Sequence, residues 1–365
     1  MNRRDFLKSS TIAASTAVAT SSTGPMLIGV EDKAGTKAPR VGADAHTYEC
    51  VHDWAQLPGE LEWQTTHNIA VDSAGLVYVT HEGHKGRKGA DTVMVFDDKG
   101  KYVRSFGKEW HTGGHGIDIR KDGNEEFLYL TNTWAKTPKV AKATLKGEIA
   151  WRKERPEIKE YENPKANYYP TNVAFCPDGS FFVGDGYGSN YLMKYDTDGK
   201  LVTVFGGSGT TDGKFRTAHG NWVDTRDPAN PVLVTCDRAN QRLQWFDLDG
   251  KFLRASKPRE MVMYPAHIDI QGDVMMVADL HTRISLFDKS NTLITHLGEN
   301  SEWRARVVGS LDAKNNLGPA VRSQPKAWEA GKFVHPHDAC FDAKGNIYVA
   351  EWVDGGRISF LKKVG

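Results

Sequence analysis

The feature that most restricts what this chain can fold into is a short unit that returns six times. The copies open on His67-Asn68-Ile69, His115-Gly116-Ile117, Thr171-Asn172-Val173, His219-Gly220-Asn221, Ala266-His267-Ile268 and His337-Asp338-Ala339, at spacings of 48, 56, 48, 47 and 71 residues. Each opening leads into an alternating apolar run, an Asp-x-x-Gly-type turn and a second apolar run ending in Asp, Asn, Glu or His. A third run, a second such turn and a last strand complete the unit. Four short strands per unit of roughly 40–50 residues are the mark of propeller blades. Six copies predict an all-β fold, a six-bladed β-propeller over residues 46–365. Val77, Val79, Leu128, Leu130, Phe182 and Val349 fall in second strands, where period-2 alternation turns one face onto the neighbouring blade.

Two spacings exceed the unit. Residues 152–169 are charged and Tyr-rich, and residues 299–332 carry Trp303, Arg304, Arg306, Arg322 and Trp328. Long excursions in compact domains serve as lids, binding loops or braces, and both a lid and a brace over the blade edges stay open for the second one.

Composition narrows the functional classes. Lysine and arginine total 47 against 46 acidic residues, a balance that argues against nucleic-acid binding. No run of about 18 apolar residues occurs, so no membrane-spanning helix is expected. The four cysteines lie far apart, which excludes a C-x-x-C zinc ribbon or dithiol site, and mostly free thiols are expected. At the amino terminus, Asn2-Arg3-Arg4-Asp5-Phe6-Leu7-Lys8 and the Ser/Thr/Ala-rich stretch after it resemble a twin-arginine export signal, with Ala17-Val18-Ala19 as a cleavage site. Residues 1–45 are therefore expected to be an export signal and flexible lead-in, and the location periplasmic or extracellular. A monomer is expected.

The chemistry gathers at the unit starts. A blade runs in, out, in, out between two faces, so the starts ring the central channel on one face. Four of the six ring positions are histidine: His67, His115, His219 and His337. His115, His219 and His337 fall on blades 2, 4 and 6, about 120° apart in a six-fold ring. Three convergent imidazoles leave an open coordination position, the pattern of a catalytic zinc site. About one zinc or similar ion per chain is predicted, with His67 as a fourth ligand or proton shuttle and His267 supporting a ligand from behind. For any one histidine alone, a strand-capping hydrogen bond is the simpler reading. On the same face, after the second strands, stand His81-Glu82, Asn132-Thr133, Asp185-Gly186-Tyr187, Asp237-Arg238, Asp279-Leu280-His281 and Glu351-Trp352. A phenol and a guanidinium beside a metal make a proton-transfer set, which nominates Tyr187 and Arg238; aromatic packing and a rim ion pair are the alternative. His81 and His84 are three apart in a Gly-rich loop and lack the helical spacing of a metalloprotease motif.

These residues resemble the NHL-repeat propellers and, within them, the peptidyl-α-hydroxyglycine α-amidating lyase family. The likeness rests on Gly114-His115-Gly116-Ile117, Tyr169-Pro170-Thr171-Asn172-Val173-Ala174 with Val183-Gly184-Asp185-Gly186-Tyr187, Ala218-His219-Gly220 with Cys236-Asp237-Arg238-Ala239-Asn240-Gln241-Arg242, and Pro336-His337-Asp338. It spans roughly residues 60–365 and is most specific in blades 3, 4 and 6. The resemblance implies a catalytic zinc on His115, His219 and His337, a tyrosine base at Tyr187 with Arg238 beside it, and a structural calcium on the channel axis bound in part by Asp338. Family enzymes split a carbinolamide into an amide and glyoxylate. Two residues depart from the pattern. Glu82 follows His81 where the family carries an arginine that receives substrate charge, with Arg87 in the same loop, and His67 is additional. The implied partner is a small-molecule or peptide-like substrate. A non-catalytic NHL-type binding propeller is the alternative, and a calcium-dependent lactonase-like propeller ranks third, since such sites use acidic and amide groups. The enzymatic reading requires Tyr187 and Arg238 to reach the histidines.

Overall fold

The computed structural model describes residues 38–365 except 85, 87–90 and 310–318. The expected export signal and Arg87 lie outside the described residues. Among these residues the strands form six antiparallel sheets. Five contain four strands in sequence order, beginning at Thr66–Val71, Gly114–Asp122, Asn172–Phe175, Ala218–Asp224 and Pro265–Gln271. The sixth combines Pro336–Phe341, Ile347–Glu351 and Arg357–Lys363 with His46–Val51 and Arg40–Ala43 from the other end of the chain. Each innermost strand touches the next and the last touches the first, which closes the ring. The outermost pair begins before residue 46, so part of the expected lead-in is sheet: Arg40 pairs with Glu49, and Cys50 with Leu361.

The alternation does more than bury one face. Leu128 and Leu130 pack with Tyr78 and Val95 of blade 1, while Tyr129, between them, packs with Val173 and Phe181 of blade 3. Val77 and Val79 likewise meet Tyr348 and Ala350 of blade 6. Each second strand is thus buried on both faces, odd residues to one neighbour and even residues to the other. Truncating such a side chain, as in Leu128→Ala, costs roughly 2–5 kcal/mol because the surrounding blades cannot collapse onto the space.

The Asp-x-x-Gly turns are built by the aspartate itself. Asp97 Oδ1 accepts the amides of Lys99 and Lys101, both at 2.9 Å, and Gly100 takes φ 79°, a left-handed conformation that suits glycine. The four cysteines are free thiols. No helix among the described residues is long and apolar enough to cross a membrane.

The 299–332 excursion packs down. Trp303 and Val307, on the helix Ser301–Gly309, form a small core with Val321, Val334 and Val353, and the Trp303 indole donates to the Phe333 carbonyl at 2.5 Å. Its end also reaches the channel mouth, where Arg322 lies 3.4 Å over the Trp352 ring. The described parts of the segment thus pack on the blade and bring Val308 and Arg322 to the cavity wall.

Candidate metal centre

The ring histidines are aimed inward by a fault in the ladder. The pairing of first and second strands shifts register between Thr66 and Ile69, Gly114 and Ile117, Ala218 and Asn221, and Pro336 and Asp338. Each bulge spans the histidine. A bulge adds a residue to one strand and redirects a side chain, and here it turns His67, His115, His219 and His337 onto the axis. The four rings meet there, with centroids 4.9 Å apart for His67–His115, His115–His219 and His115–His337, and 4.7 Å for His219–His337.

Each alternate-blade imidazole is tied from behind. Nδ1 of His115 lies 2.9 Å from the Thr171 carbonyl, Nδ1 of His219 lies 2.7 Å from that of Ala266, and Nδ1 of His337 lies 3.0 Å from that of His67. A carbonyl can only accept, so Nδ1 carries the proton and Nε2 keeps its lone pair. The acceptor is always the ring residue of the next odd-numbered blade. Gly116 and Gly220 make room for this approach: a Cβ on Gly116 would sit 2.5 Å from the Thr171 carbonyl oxygen, and one on Gly220 would sit 2.5 Å from that of Ala266. The sequence reading missed all three tethers, although the His-Gly pairs in blades 2 and 4 were the visible trace of two of them.

Burial keeps these rings neutral. It pushes His115 down to about 3, with Thr171 offsetting it only in part, and holds His67, His219 and His337 well below the ordinary imidazole range. Nε2 of His115 and Nε2 of His219 then face each other at 3.2 Å as two acceptors, and His337 Nε2 is buried with no hydrogen-bond partner. Lone pairs turned on one another call for a cation between them. Two nitrogens on a tetrahedral zinc with bonds of about 2.0–2.1 Å stand about 3.3 Å apart, so the residues present fit such an ion. The trio whose ligand atoms all lie within 4.8 Å of one another is His67, His115 and His337. His219 is not a member of that trio, although its Nε2 is 3.2 Å from His115 Nε2, and His67 stands in the ring as fully as the three that alternation singles out.

Tyr187 and Arg238 arrive beside this set. The Tyr187 hydroxyl lies 3.0 Å from His219 Nε2, to which it can donate, and accepts from Arg238 Nη1 at 2.8 Å. Arg238 is 4% exposed, and its Nη2 is buried without a partner. Tyr187 and Arg238 are positioned by the acidic residues before them, which face inward and act as staples. Asp185 accepts the Tyr169 amide at 2.6 Å and Asp237 the Arg216 amide at 2.9 Å. Asp279 accepts from Tyr264 at 2.9 Å and Glu351 from Val334 at 2.7 Å. In blade 1 His81 takes the same part, its Nδ1 3.3 Å from the Gln64 amide. His81 is therefore a blade staple, and Glu82 pairs with His84 at 2.9 Å. The metal set opens into a cavity of about 690 Å³ whose charged walls include Arg216, Arg238, Arg259, Arg322 and Glu82.

Asp338 and His267 sit one layer deeper. His267 Nδ1 is 2.6 Å from Asp338 Oδ1 as an ion pair, and Asp338 Oδ2 accepts the Ile69 amide at 2.9 Å. Burial opposes a charge on His267, yet Asp338, Asp118 and Asp269 outweigh it and raise the imidazole to about 9. The pair is close without hydrogen-bond alignment, and Asp338 Oδ1 is buried with no hydrogen-bond partner. Calcium takes six to eight oxygens, backbone carbonyls and waters among them, and three buried carboxylates, Asp118, Asp269 and Asp338, lie around His267 at this depth. His267 therefore balances the deep carboxylates and makes no contact with the three tethered nitrogens, unlike the supporting role expected of it.

No protein-family model matches the chain. It is 30% identical over 209 residues to NHL repeat-containing protein 3 of Homo sapiens, covering 55% of this chain and 57% of that protein. The mouse protein of the same name matches at 30% over 197 residues, covering 52% and 54%. The chain has NHL-repeat homologues. Peptidyl-alpha-hydroxyglycine alpha-amidating lyase 1 of Drosophila melanogaster is 28% identical over 193 residues, covering 50% of this chain and 33% of that enzyme. The chain thus spans about half the length, or less, of the curated relatives it matches. Among solved structures, a catalytically inactive virginiamycin B lyase from Staphylococcus aureus with quinupristin superposes with a TM-score of 0.53, covering 87% of this chain and all of that one at 15% identity. That likeness concerns the propeller fold.

Proposed function

We propose that this NHL-repeat propeller is an exported, zinc-dependent lyase that cleaves the C–N bond of a carbinolamide-type substrate. The observation that carries the reading is the meeting of four neutral, buried imidazoles with the Tyr187 hydroxyl and its Arg238 partner. The partial likeness to an α-amidating lyase adds support. A zinc ion on His115, His219 and His337, with His67 adjacent, would supply Lewis-acid polarisation of a substrate oxygen. In such a cleavage the hydroxyl proton leaves, the C–O bond becomes C=O, the C–N bond breaks and the nitrogen takes up a proton. No redox partner is consumed. Tyr187 stands where it can accept and return that proton. Arg238 donates to the same oxygen and sets a fixed positive charge that stabilises the phenolate form able to accept the proton. The orphaned Arg238 Nη2, with Arg216, Arg259 and Arg322 on the cavity wall, favours a substrate bearing an anionic group. Glu82 is a single carboxylate set against these four guanidinium groups on the cavity wall.

The test is elemental analysis joined to a glyoxylate-release assay on N-acyl-α-hydroxyglycines. About one zinc per chain, chelator-sensitive turnover, and a Tyr187→Phe variant that keeps its zinc but turns over about a hundredfold more slowly are expected. Protein that takes up no zinc even after loading would overturn the reading and leave a binding propeller.

A further inference from the structure

The guanidinium groups around the histidine cavity are not equivalent. Arg322 is paired with Asp354 at 2.9 Å, whereas among the described residues Arg216, Arg238 and Arg259 stand in no ion pair. Those three lie together, on blade 4 and on its link to blade 5. Glu82, the one carboxylate among the described residues of the cavity wall, belongs to blade 1, across the ring of blades from blade 4. The cavity is therefore polarised. Unpaired positive charge gathers on one side, and the lone negative charge stands on the other.

The positive side is held in place. Arg259 is left-handed at φ 62° and Gln241 at φ 61°, a conformation that a residue with a Cβ enters at a cost. The two are locked together: the Arg259 amide donates to the Gln241 carbonyl and Arg259 Nε donates to Gln241 Oε1, both at 2.8 Å. That clamp takes Nε and leaves the terminal nitrogens of Arg259 for a ligand. Thr217, next to Arg216, is left-handed as well, at φ 66°. Backbone strain of this kind collects at ligand sites. Between Arg238 and Arg259 the wall is made by a stacked pair, Tyr264 on His281, with centroids 5.0 Å apart and planes at 8°. Arg238 lies 6.0 Å from the Tyr264 ring. Burial, with the nearby Arg259 charge, holds the His281 imidazole below its ordinary range.

Arg238 is already committed. Its Nη1 donates to Tyr187, and its buried Nη2 is left for one anionic group near the reacting carbon. Arg216 and Arg259 are then surplus to a singly charged substrate. We infer that they form a distal anion subsite, and that the substrate carries a second anionic group, a carboxylate or a phosphate, at the end remote from the reacting carbon. The polarity across the ring sets its direction, with the acidic end on the blade 4 side and away from Glu82. The inference deepens the lyase reading, on which it rests for the position of the reacting carbon, while the subsite itself is read out by binding alone.

Two measurements on the zinc-loaded full chain test it. Calorimetry compares the dicarboxylates from succinate to adipate, and 3-phosphonopropionate, with monocarboxylates of equal length. Kinetics compares N-acyl-α-hydroxyglycines whose acyl chains end in a carboxylate with those ending in a methyl group. The doubly charged member should be favoured by at least about tenfold in wild type, as hydrogen bonds between charged groups allow. That ratio should fall towards one in the double variant Arg216→Gln/Arg259→Gln, but not in Arg254→Gln, which removes a charge outside the cavity. Whichever of the dicarboxylates and the phosphonate binds more tightly identifies the group. Circular dichroism and zinc content would show that the double variant is folded. Equal binding of singly and doubly charged ligands in wild type would overturn the subsite, and turnover of both kinds of carbinolamide at equal kcat/KM would then leave the lyase standing. A preference that the double variant retains would also overturn it. A binding preference that the double variant abolishes, with no turnover of any carbinolamide, would uphold the subsite and overturn the lyase.

Discussion

Two kinds of histidine share one channel, a single residue apart in strand register. His115, His219 and His337 look back onto backbone carbonyls, and burial keeps them uncharged. His267 looks onto Asp338, with Asp118 and Asp269 near it, and is held charged to about 9. The same side chain becomes a ligand in one layer and a counter-ion in the next. Burial is complete in both layers, so the partner decides the role: a carbonyl fixes a proton on one nitrogen and frees the other, whereas a carboxylate stabilises the proton on both.

The sharpest way to break this contrast is His267→Ala. It strands Asp338 and its neighbouring carboxylates without their counter-charge, and a loss of about 3–5 kcal/mol in chemical denaturation is expected, with zinc per folded molecule unchanged. A loss below about 1 kcal/mol would mean that the deeper layer is not an ion-paired one. His219→Ala should act in the opposite sense, lowering zinc affinity by more than about a hundredfold while the metal-free protein unfolds near the wild-type denaturant concentration. Gly220→Ala is subtler. It pushes the Ala266 carbonyl from its place behind His219, and a tenfold to hundredfold weakening of zinc in competition titrations is expected from disturbing a ligand's supporting contact.

The smallest effect is in pH. The folded His115 pKa, about 3, lies below the ordinary 6.5. As pH falls below 6.5 the unfolded chain takes up a proton that the folded chain refuses, so metal-free stability should drop from pH 6.5 towards 3. His267, at about 9, contributes fully below pH 6.5 and loses its contribution as pH rises through 9. Asp118, raised to about 8 by burial, works in the same direction. Urea unfolding of metal-free wild type against His267→Gln should therefore show a stability gap that narrows from pH 6.5 to 9. Against His115→Phe the wild type should lose ground from pH 6.5 to 4.

The propeller and its ring of histidines were legible because both are repeats: period-2 alternation and equal spacing survive in one dimension. What escaped depends on contacts between blades. Nothing in Ala218-His219-Gly220 announces a bulge, and the reason for Gly220 is a carbonyl 46 residues further along. Asp185, Asp237, Asp279 and Glu351 read as groups on the functional face, but each is spent on an amide of its own blade. His267 could not be told from a supporting histidine, because Asp118 and Asp338 come to it from blades 2 and 6. Tyr187 and Arg238 were legible from their place after the second strands and from a likeness, but the approach of Tyr187 to His219 and of Arg238 to Tyr187 are distances that only the folded ring supplies.

The closing sheet places residues 40–51 beside residues 357–363, the earliest-made strands against the latest-made one. His67 and His337 become neighbours only when that seam is sewn. Removing residues 357–363 would take away the strand that joins the two sides of that seam and leave the ring unlatched at the blade that carries His337. The four-imidazole set is therefore a readout of closure, complete only in a molecule whose seam is made.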